Sequence, residues 1–237
     1  MQINEMHTFL DKKINLDCDF DFNSFWNKGG FALDLSNNTT ASKVIDYATQ
    51  QESYVLNYND KYPVENAVWD TQWNVKERAP QVYLDLRDEF MNSKLFSSYY
   101  QIYKRFTFQK LMLHRTPRGY VNDYHSHTFD ASHFHVFFYI APVKREVYDG
   151  GLIEIGEVVD RENVKMDPYS FYHHSPKHHS TNISFVPYNC LALVFNNLNP
   201  YFRHRVTEVF TNKERYTFMM AFGYQENCIR TENIEHI

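Results

Sequence analysis

From Phe106 onward the chain is a succession of short runs of aromatic and β-branched residues, separated by turn residues. The runs read FTFQKLML, FHVFFYI, GLIEIGEVV, ISFVP, LALVF, HRVTEVF and RYTFMMAFGY, and the turns include TPRG, YDGG, PYN, NNLNP and TNKE. Runs of this length, rich in such residues, are typical of strands. Several short strands with regular turn signals and no long helix predict an all-β sandwich or barrel in this half.

The first hundred residues mix helical and irregular segments. The sequence GGFALDL (29–35) predicts a short strand that begins with two glycines. Thr40 or Ser42 is expected to cap the first of three helices, and Pro80 stands where a second helix begins, a position that favours proline. The three helices are predicted at 40–51, 79–93 and 92–104. The chain is therefore divided into a helical and mixed N-terminal region, a β core and a tail, at 1–95, 96–226 and 227–237.

Charge and composition exclude several classes of protein. The chain has 237 residues, enough for a substantial core, and its formal net charge of −5 with no basic run argues against binding to nucleic acid or an anionic membrane. The apolar runs VFFYIAPV and CLALVF are too short to cross a bilayer, and the N-terminus lacks the pattern of a signal peptide. The three widely spaced cysteines, Cys18, Cys190 and Cys228, indicate a reducing compartment, so we expect a cytoplasmic protein. No feature specifies an oligomeric state.

Histidines concentrate at two places in the β half. In GYVNDYHSHTFD (119–130), His125 and His127 are two residues apart, so a strand directs both to one face. Two imidazoles on one face suit iron, zinc or copper, although a solvated strand edge explains them equally well. In FRHRVTEVF, alternation places His204 and Val206 on one face, so His204 is either a metal ligand or a hydrogen-bonded core residue.

The motifs occur in an order that resembles the non-haem iron, 2-oxoglutarate-dependent oxygenases, in particular their prolyl-4-hydroxylase-like branch. The resemblance covers about residues 95 to 224, with 79 residues between His125 and His204 and 11 between His204 and Arg215. It implies a mainly β fold with flanking helices around a double-stranded β-helix, the jelly-roll or cupin-like core. The motifs are GYVNDYHSH, HVFFYI, DGGLIEI (149–155), PYNCLALVF (187–195), HRVTEV (204–209) and RYT (215–217).

The resemblance also implies a site. His125, His204 and a third ligand would hold Fe(II) on one face and leave positions for 2-oxoglutarate and O2. Arg215 would bind the distal carboxylate of 2-oxoglutarate through its planar fork, and Thr217, two residues along the strand, would add a hydroxyl. The alternative for Arg215 is an exposed ion pair with a neighbouring glutamate.

This chain departs from the family at the third ligand, where the family has His-x-Asp and this sequence has His125-Ser126-His127, followed by Asp130. Three arrangements are open: His127 completes a three-histidine site, Asp130 turns back to the metal, or His127 is the leading ligand and water or an anion fills the third position. We predict His127, because alternation places it on the face of His125. In PYNCLALVF, the usual turn glycine is Asn189, which we expect to adopt the left-handed conformation.

The predicted function is an Fe(II)- and 2-oxoglutarate-dependent dioxygenase that hydroxylates a C–H bond of a peptide side chain or a small amino-acid-like molecule. One alternative is a three-histidine cupin-type dioxygenase that does not use 2-oxoglutarate, since Gly-x5-His-x-His also opens the cupin motif. The other is a catalytically silent β-barrel binding module. The histidine-rich segment 171–180 is predicted to be a solvated loop, and one of His133 and His135 is expected to be exposed. Tyr139 is one of several tyrosines considered as contacts.

Overall fold

The computed structural model describes residues 14–50, 55–57, 68–73, 79–103, 106–126, 132–159, 179–199 and 201–224. The helices in these ranges are α1 (Phe22–Lys28), α2 (Thr39–Thr49), α3 (Gln81–Met91) and α4 (Lys94–Tyr100). The strands are β1 (Gly30–Asp34), β2 (Val55–Asn57), β3 (Val68–Trp73), β4 (Phe106–Arg115), β5 (Asn122–His125), β6 (Ser132–Ile140), β7 (Ile153–Val158), β8 (His179–Phe185), β9 (Leu191–Asn196), β10 (Phe202–Val206) and β11 (Tyr216–Tyr224). Among the described residues, no helix is long and apolar enough to cross a membrane.

The strands form two antiparallel sheets. The large sheet has the order β1-β9-β6-β11-β4-β3-β2, and the small sheet has the order β5-β10-β7-β8. From β4 to β11 the chain passes between the sheets so that each receives four of these eight strands. This is a double-stranded β-helix, or jelly roll, and it confirms the predicted fold class. Strands β1, β2 and β3, of which only β1 was predicted, extend the large sheet at its two edges.

Alternation along β6 shows how the layers are built. Phe134 and Phe138 point to the outer face of the large sheet, where residues of all four helices cover them. Phe137 and Tyr139 point to the inner face and pack between the two sheets. Because β6 lies in the middle of the sheet and is buried on both faces, its sequence is an almost continuous apolar run.

The ends of the helices differ from the predictions. The side chain of Asn38, rather than Thr40 or Ser42, caps α2 and accepts a hydrogen bond from the Ala41 N–H at 2.7 Å. Pro80 lies immediately before α3. Helix α1, of seven residues, was not predicted. Short elements are defined mainly by what they pack against, which the local sequence does not encode.

The turn before β9 corrects a second expectation. Cys190, with φ 66°, takes the left-handed conformation, and Asn189 does not. The Asn189 side chain instead accepts a hydrogen bond from the Ala141 N–H, in the connection that follows β6. This contact joins the connection after β6 to the turn before β9. The side chain of Asn189 thus holds the turn, and the left-handed backbone falls on the next residue, Cys190.

Candidate functional site

His125 and His204 face each other inside the jelly roll. They are directly paired in the antiparallel ladder between β5 and β10, and their ring centroids are 4.2 Å apart. Both are buried, with 3% and 7% of their surfaces exposed. The rings of Phe137 and Phe195 pack against His204 at 4.9 and 4.6 Å. Two imidazoles thus meet in a pocket from which aromatic rings exclude water.

The protonation state of His125 follows from its hydrogen bonds. Its Nδ1 lies 2.8 Å from the carbonyl oxygen of Asp123, and a carbonyl only accepts, so Nδ1 donates. In the neutral ring the lone pair is therefore on Nε2, which lies 3.4 Å from the Asn122 side-chain nitrogen. Histidine ligands of metals are oriented in this way, through a hydrogen bond from the second ring nitrogen to a carbonyl or carboxylate.

His204 is held in the neutral form. Burial lowers the pKa of His204 well below its usual value, and the neighbouring charges of His125 and His135 lower it further. Neutral imidazole is the form that binds a metal ion. The donor set of this pair therefore fits iron, with one lone pair fixed by hydrogen bonding and one ring kept deprotonated by burial.

The third ligand lies outside these observations. His127 and Asp130 are both outside the described residues, so the choice of His127 stays a prediction. In the part of the chain that the structure describes, no group of three histidine, cysteine or acidic side chains is placed to hold a metal. His125 and His204 are thus the two predicted ligands that the described residues bring together.

Arg215 is a buried cation, and no carboxylate of the described residues pairs with it. Its side chain is 2% exposed, and within the described residues its one hydrogen bond runs from Nη1 to the Thr116 hydroxyl, at 3.1 Å. Burial is the main cause that lowers the pKa of Arg215, to about 10. Tyr139 raises it, and the charge of Arg145 lowers it by less than Tyr139 raises it. The adjacent Glu214 forms an ion pair with Arg115 instead. Arg215 is therefore not the exposed partner of a glutamate.

Thr217 and Tyr139 accompany Arg215 on the inner face. Thr217 is buried and pairs with Tyr139 across β11 and β6, and the Arg215 guanidinium carbon lies 5.7 Å from the centre of the Tyr139 ring. Burial raises the pKa of Tyr139, so the hydroxyl stays protonated and able to donate. The sequence contained a signal for Tyr139, because alternation from Phe137 directs it inward, but 18 tyrosines obscured it.

The two histidines of β6 correct another expectation, since both are buried. His133 lies 3.0 Å from the Tyr99 hydroxyl, on the side of the helices. His135 lies close enough to His204 to affect its pKa, and its Nε2 is 2.9 Å from the Ser132 hydroxyl. A strand covered on both faces buries consecutive residues, so alternation alone predicted an exposed histidine where none exists.

Comparisons with known proteins agree with this geometry. No family model and no curated protein sequence matches the chain. Among solved structures, it is similar to an oxidoreductase of the 2OG-Fe(II) oxygenase family from Burkholderia pseudomallei, at 12% identity over 92% of this chain and 99% of that chain, with a TM-score of 0.60. It is also similar to a prolyl hydroxylase from Trichoplax adhaerens, solved with a peptide fragment of the hypoxia inducible factor oxygen degradation domain, at 13% identity, 89% and 90% coverage and a TM-score of 0.56. A third is HygX from Streptomyces hygroscopicus, solved with nickel, 2-oxoglutarate and hygromycin B, at 9% identity, 86% coverage of each chain and a TM-score of 0.55.

These neighbours define the class of the fold. The two antiparallel sheets with four helices match the double-stranded β-helix of the 2-oxoglutarate–Fe(II) oxygenases, prolyl hydroxylases among them, over nearly the full chain. The resemblance that the motifs indicated is thereby confirmed at the level of the fold. At identities of 9 to 13%, the similarity shows the fold alone. The activity has to be argued from the residues of the site.

Proposed function

We propose that this protein is an Fe(II)- and 2-oxoglutarate-dependent dioxygenase that hydroxylates a C–H bond. The observation that carries the proposal is Arg215, a buried guanidinium that has no carboxylate partner among the described residues, in the same jelly-roll interior as the paired histidines. A buried cation is costly unless an anion compensates it, so the position suits a carboxylate that arrives with a ligand.

The distance between the histidine pair and Arg215 fits the length of the proposed co-substrate. His204 packs against Phe137, and Arg215 lies over Tyr139. These two positions on β6 are two residues apart, which corresponds to about 7 Å along a strand. A five-carbon dicarboxylate such as 2-oxoglutarate can reach from a metal at the histidines to the guanidinium. A monocarboxylic ligand of that length would leave the cation unpaired.

Each residue then has a physical task. His125 and His204 hold the metal through neutral ring nitrogens, and Arg215 binds the distal carboxylate with two parallel hydrogen bonds. Thr217 and Tyr139 add hydroxyl donors to the same carboxylate. When bound, iron with 2-oxoglutarate supplies the oxidising chemistry, in which O2 is consumed, 2-oxoglutarate yields succinate and CO2, and a C–H bond gains oxygen.

The substrate class is proposed as a peptide side chain or a small amino-acid-like molecule. The Trichoplax neighbour was solved with a peptide and HygX with the small molecule hygromycin B, so this fold accommodates both kinds of ligand. A cytoplasmic location without nucleic-acid or membrane partners is proposed from the net charge of −5 and the cysteine pattern.

The experiment that tests this function is an anaerobic titration. Fe(II) is added first, and 2-oxoglutarate is then titrated while the charge-transfer absorption of the complex is followed. Arg215→Lys should leave Fe(II) binding unchanged and weaken 2-oxoglutarate binding by about 1.5–3 kcal/mol, because a point charge cannot replace two parallel hydrogen bonds.

An unchanged affinity for 2-oxoglutarate in Arg215→Lys would contradict the proposal. That outcome would favour the three-histidine cupin-type dioxygenase if Fe(II) still binds, or the silent binding module if it does not. The burial of Arg215, with no carboxylate partner in the described part of the chain, argues against both, since neither needs a cation beside its metal position.

A further inference from the structure

A second arginine, Arg145, is buried close to Arg215. Arg145 follows β6 and is 4% exposed. Its Nη1 donates to the Lys213 carbonyl at 2.7 Å, and its Nη2 donates to the Gly150 carbonyl at 3.2 Å and the Asp149 carbonyl at 3.4 Å. Arg145 therefore ties the connection between β6 and β7 to the segment from which Arg215 extends. Among the described residues its Nε has no hydrogen-bond partner.

Gly151 lies between the two arginines. A Cβ atom at this position would lie 3.2 Å from Arg145 Nη2 and 3.7 Å from Arg215 Cδ. Its φ of +64° is also a conformation that residues with side chains rarely adopt. The absence of a side chain here keeps the two arginines next to each other, which gives the second glycine of the DGGLIEI motif a specific role.

The charges at this end of the jelly roll do not balance within the described residues. Asp149 is fully buried, and its Oδ2 accepts hydrogen bonds from the Lys213 ammonium and the Glu146 N–H, each at 2.8 Å. One buried carboxylate thus stands among three cations: Lys213, Arg145 and Arg215. Two buried guanidiniums with carbonyls and a hydroxyl as their hydrogen-bond partners favour the arrival of an anion.

From this arrangement we propose that Arg145 is a positioning residue for the co-substrate. It fixes the backbone that carries Arg215, and its charge makes this end of the site selective for dicarboxylic over monocarboxylic 2-oxo acids. The inference rests on the proposed function, because it assumes that Arg215 binds the distal carboxylate. Arg145 acts through Arg215 and through the field at this end of the site, so no contact with the ligand is required.

Two substitutions separate its charge from its hydrogen bonds. Arg145→Met keeps an apolar stem and removes both, whereas Arg145→Lys keeps the charge and loses the fork that reaches three carbonyls. Each variant, loaded with Fe(II) without O2, is titrated with 2-oxoglutarate and with 2-oxovalerate, which has the same chain length and no distal carboxylate. The readout is the dissociation constant from the charge-transfer absorption.

We expect Arg145→Met to weaken 2-oxoglutarate binding by about tenfold, or ~1.4 kcal/mol, because the second positive charge is lost. Binding of 2-oxovalerate should change by less than about twofold, since that ligand presents no charge at this end. Arg145→Lys should lie between wild type and Arg145→Met. Lys144→Met is the matched control, because it removes an exposed positive charge one residue away and should leave both constants unchanged.

Three outcomes would overturn the inference. They are an unchanged constant for 2-oxoglutarate, an equal loss for both acids, and a loss in Lys144→Met as large as in Arg145→Met. If Arg145→Met does not fold, the ratio of the two constants in Arg145→Lys decides, and a ratio equal to wild type overturns the inference. Arg215→Met shows which of the two proposals has failed after such an outcome. If Arg215→Met also leaves 2-oxoglutarate binding unchanged, the proposed function fails. If it weakens 2-oxoglutarate binding, only the role of Arg145 fails.

Discussion

The surroundings of His125 and His204 determine where these two buried imidazole rings carry their protons. An imidazole that is buried among aromatic rings loses its proton easily, and the Asp123 carbonyl determines which nitrogen of His125 keeps its hydrogen. Both effects prepare lone pairs without the help of a metal ion. These are the properties expected of histidines that bind a metal, as proposed for this pair.

Removal of either histidine should abolish Fe(II) binding. His125→Ala and His204→Ala each delete one neutral ligand from a site that has no spare one. Equilibrium dialysis with metal analysis measures the stoichiometry under anaerobic conditions. His114→Ala, at a half-buried position on β4, is the control and should bind Fe(II) as wild type does. Wild-type stoichiometry in both site variants would place the metal elsewhere.

The third ligand gives opposite predictions for two neighbouring residues. If His127 binds the metal, His127→Asp restores the His-x-Asp pattern and should bind Fe(II) as well as wild type or better, because a carboxylate adds negative charge. Asp130→Asn should then be nearly silent. Fe(II) dissociation constants of the two variants measure this. The opposite result, loss of metal in Asp130→Asn with His127→Ala tolerated, would assign the ligand to Asp130.

The packing of α4 on β6 makes the stability of the fold depend on pH. Burial lowers the pKa of His133 from 6.5 to about 4, and its Nδ1 lies 3.0 Å from the Tyr99 hydroxyl. The unfolded chain therefore takes up this proton more readily than the folded one. The contribution to stability is fully present above pH 6.5 and is lost as the pH falls toward about 4.

His133→Gln should flatten that dependence. Between about pH 7 and about pH 4, the free energy of unfolding of wild type should fall by up to about 3 kcal/mol more than that of the variant. Urea unfolding at a series of pH values measures the difference. Parallel curves for wild type and His133→Gln would show that His133 does not titrate as expected.

The small sheet has a polar cluster on its outer face, opposite the histidine pair. Glu154 on β7 accepts hydrogen bonds from Arg205 on β10 at 2.5 Å and from the hydroxyls of Tyr124 on β5 and Ser184 on β8, both at 3.3 Å. The Tyr124 hydroxyl also lies 2.7 Å from the Thr181 hydroxyl on β8. Every strand of the sheet thus contributes to one cluster, and Tyr124 and Arg205 are direct sequence neighbours of His125 and His204.

Glu154→Gln should destabilise the protein by about 2–3 kcal/mol, because it leaves the Arg205 guanidinium without its carboxylate. Arg205 is 21% exposed, so water compensates part of the loss. The double variant Glu154→Gln, Arg205→Met should recover some of that stability in urea unfolding. A change of less than about 0.5 kcal/mol in Glu154→Gln would mean that the cluster does not support the sheet.

At the scale of the whole molecule, the structure agrees best with the predictions that rest on local sequence patterns. Seven of the eight strands from β4 to β11 correspond to runs of aromatic and β-branched residues, and the order of the motifs indicated the jelly roll. The eighth, β5, was indicated by the spacing of His125 and His127. His125, His204, Arg215 and Thr217 were singled out through the resemblance of the motifs to the oxygenases, and all four lie buried in the jelly roll. Two-residue alternation and turn residues are properties of neighbouring positions, so a single sequence records them.

Other features came from packing between distant segments. The short helix α1 and the edge strands β2 and β3 were not predicted, and the left-handed turn residue is Cys190 because Asn189 is engaged with a backbone amide 48 positions away in the sequence. Alternation could not foresee that β6 is covered on both faces, which buries His133 as well as His135.

The site likewise has features that are visible in the sequence and features that only the tertiary structure determines. That Arg215 follows His204 by 11 residues is visible in the sequence. Its guanidinium is buried next to Arg145, from a connection 70 residues earlier, and no carboxylate of the described ranges pairs with it. This arrangement depends on how the two sheets and their connections close around it. Side-chain chemistry is set by residue type, but its pKa, partners and desolvation are set by the groups that the fold brings within a few ångströms.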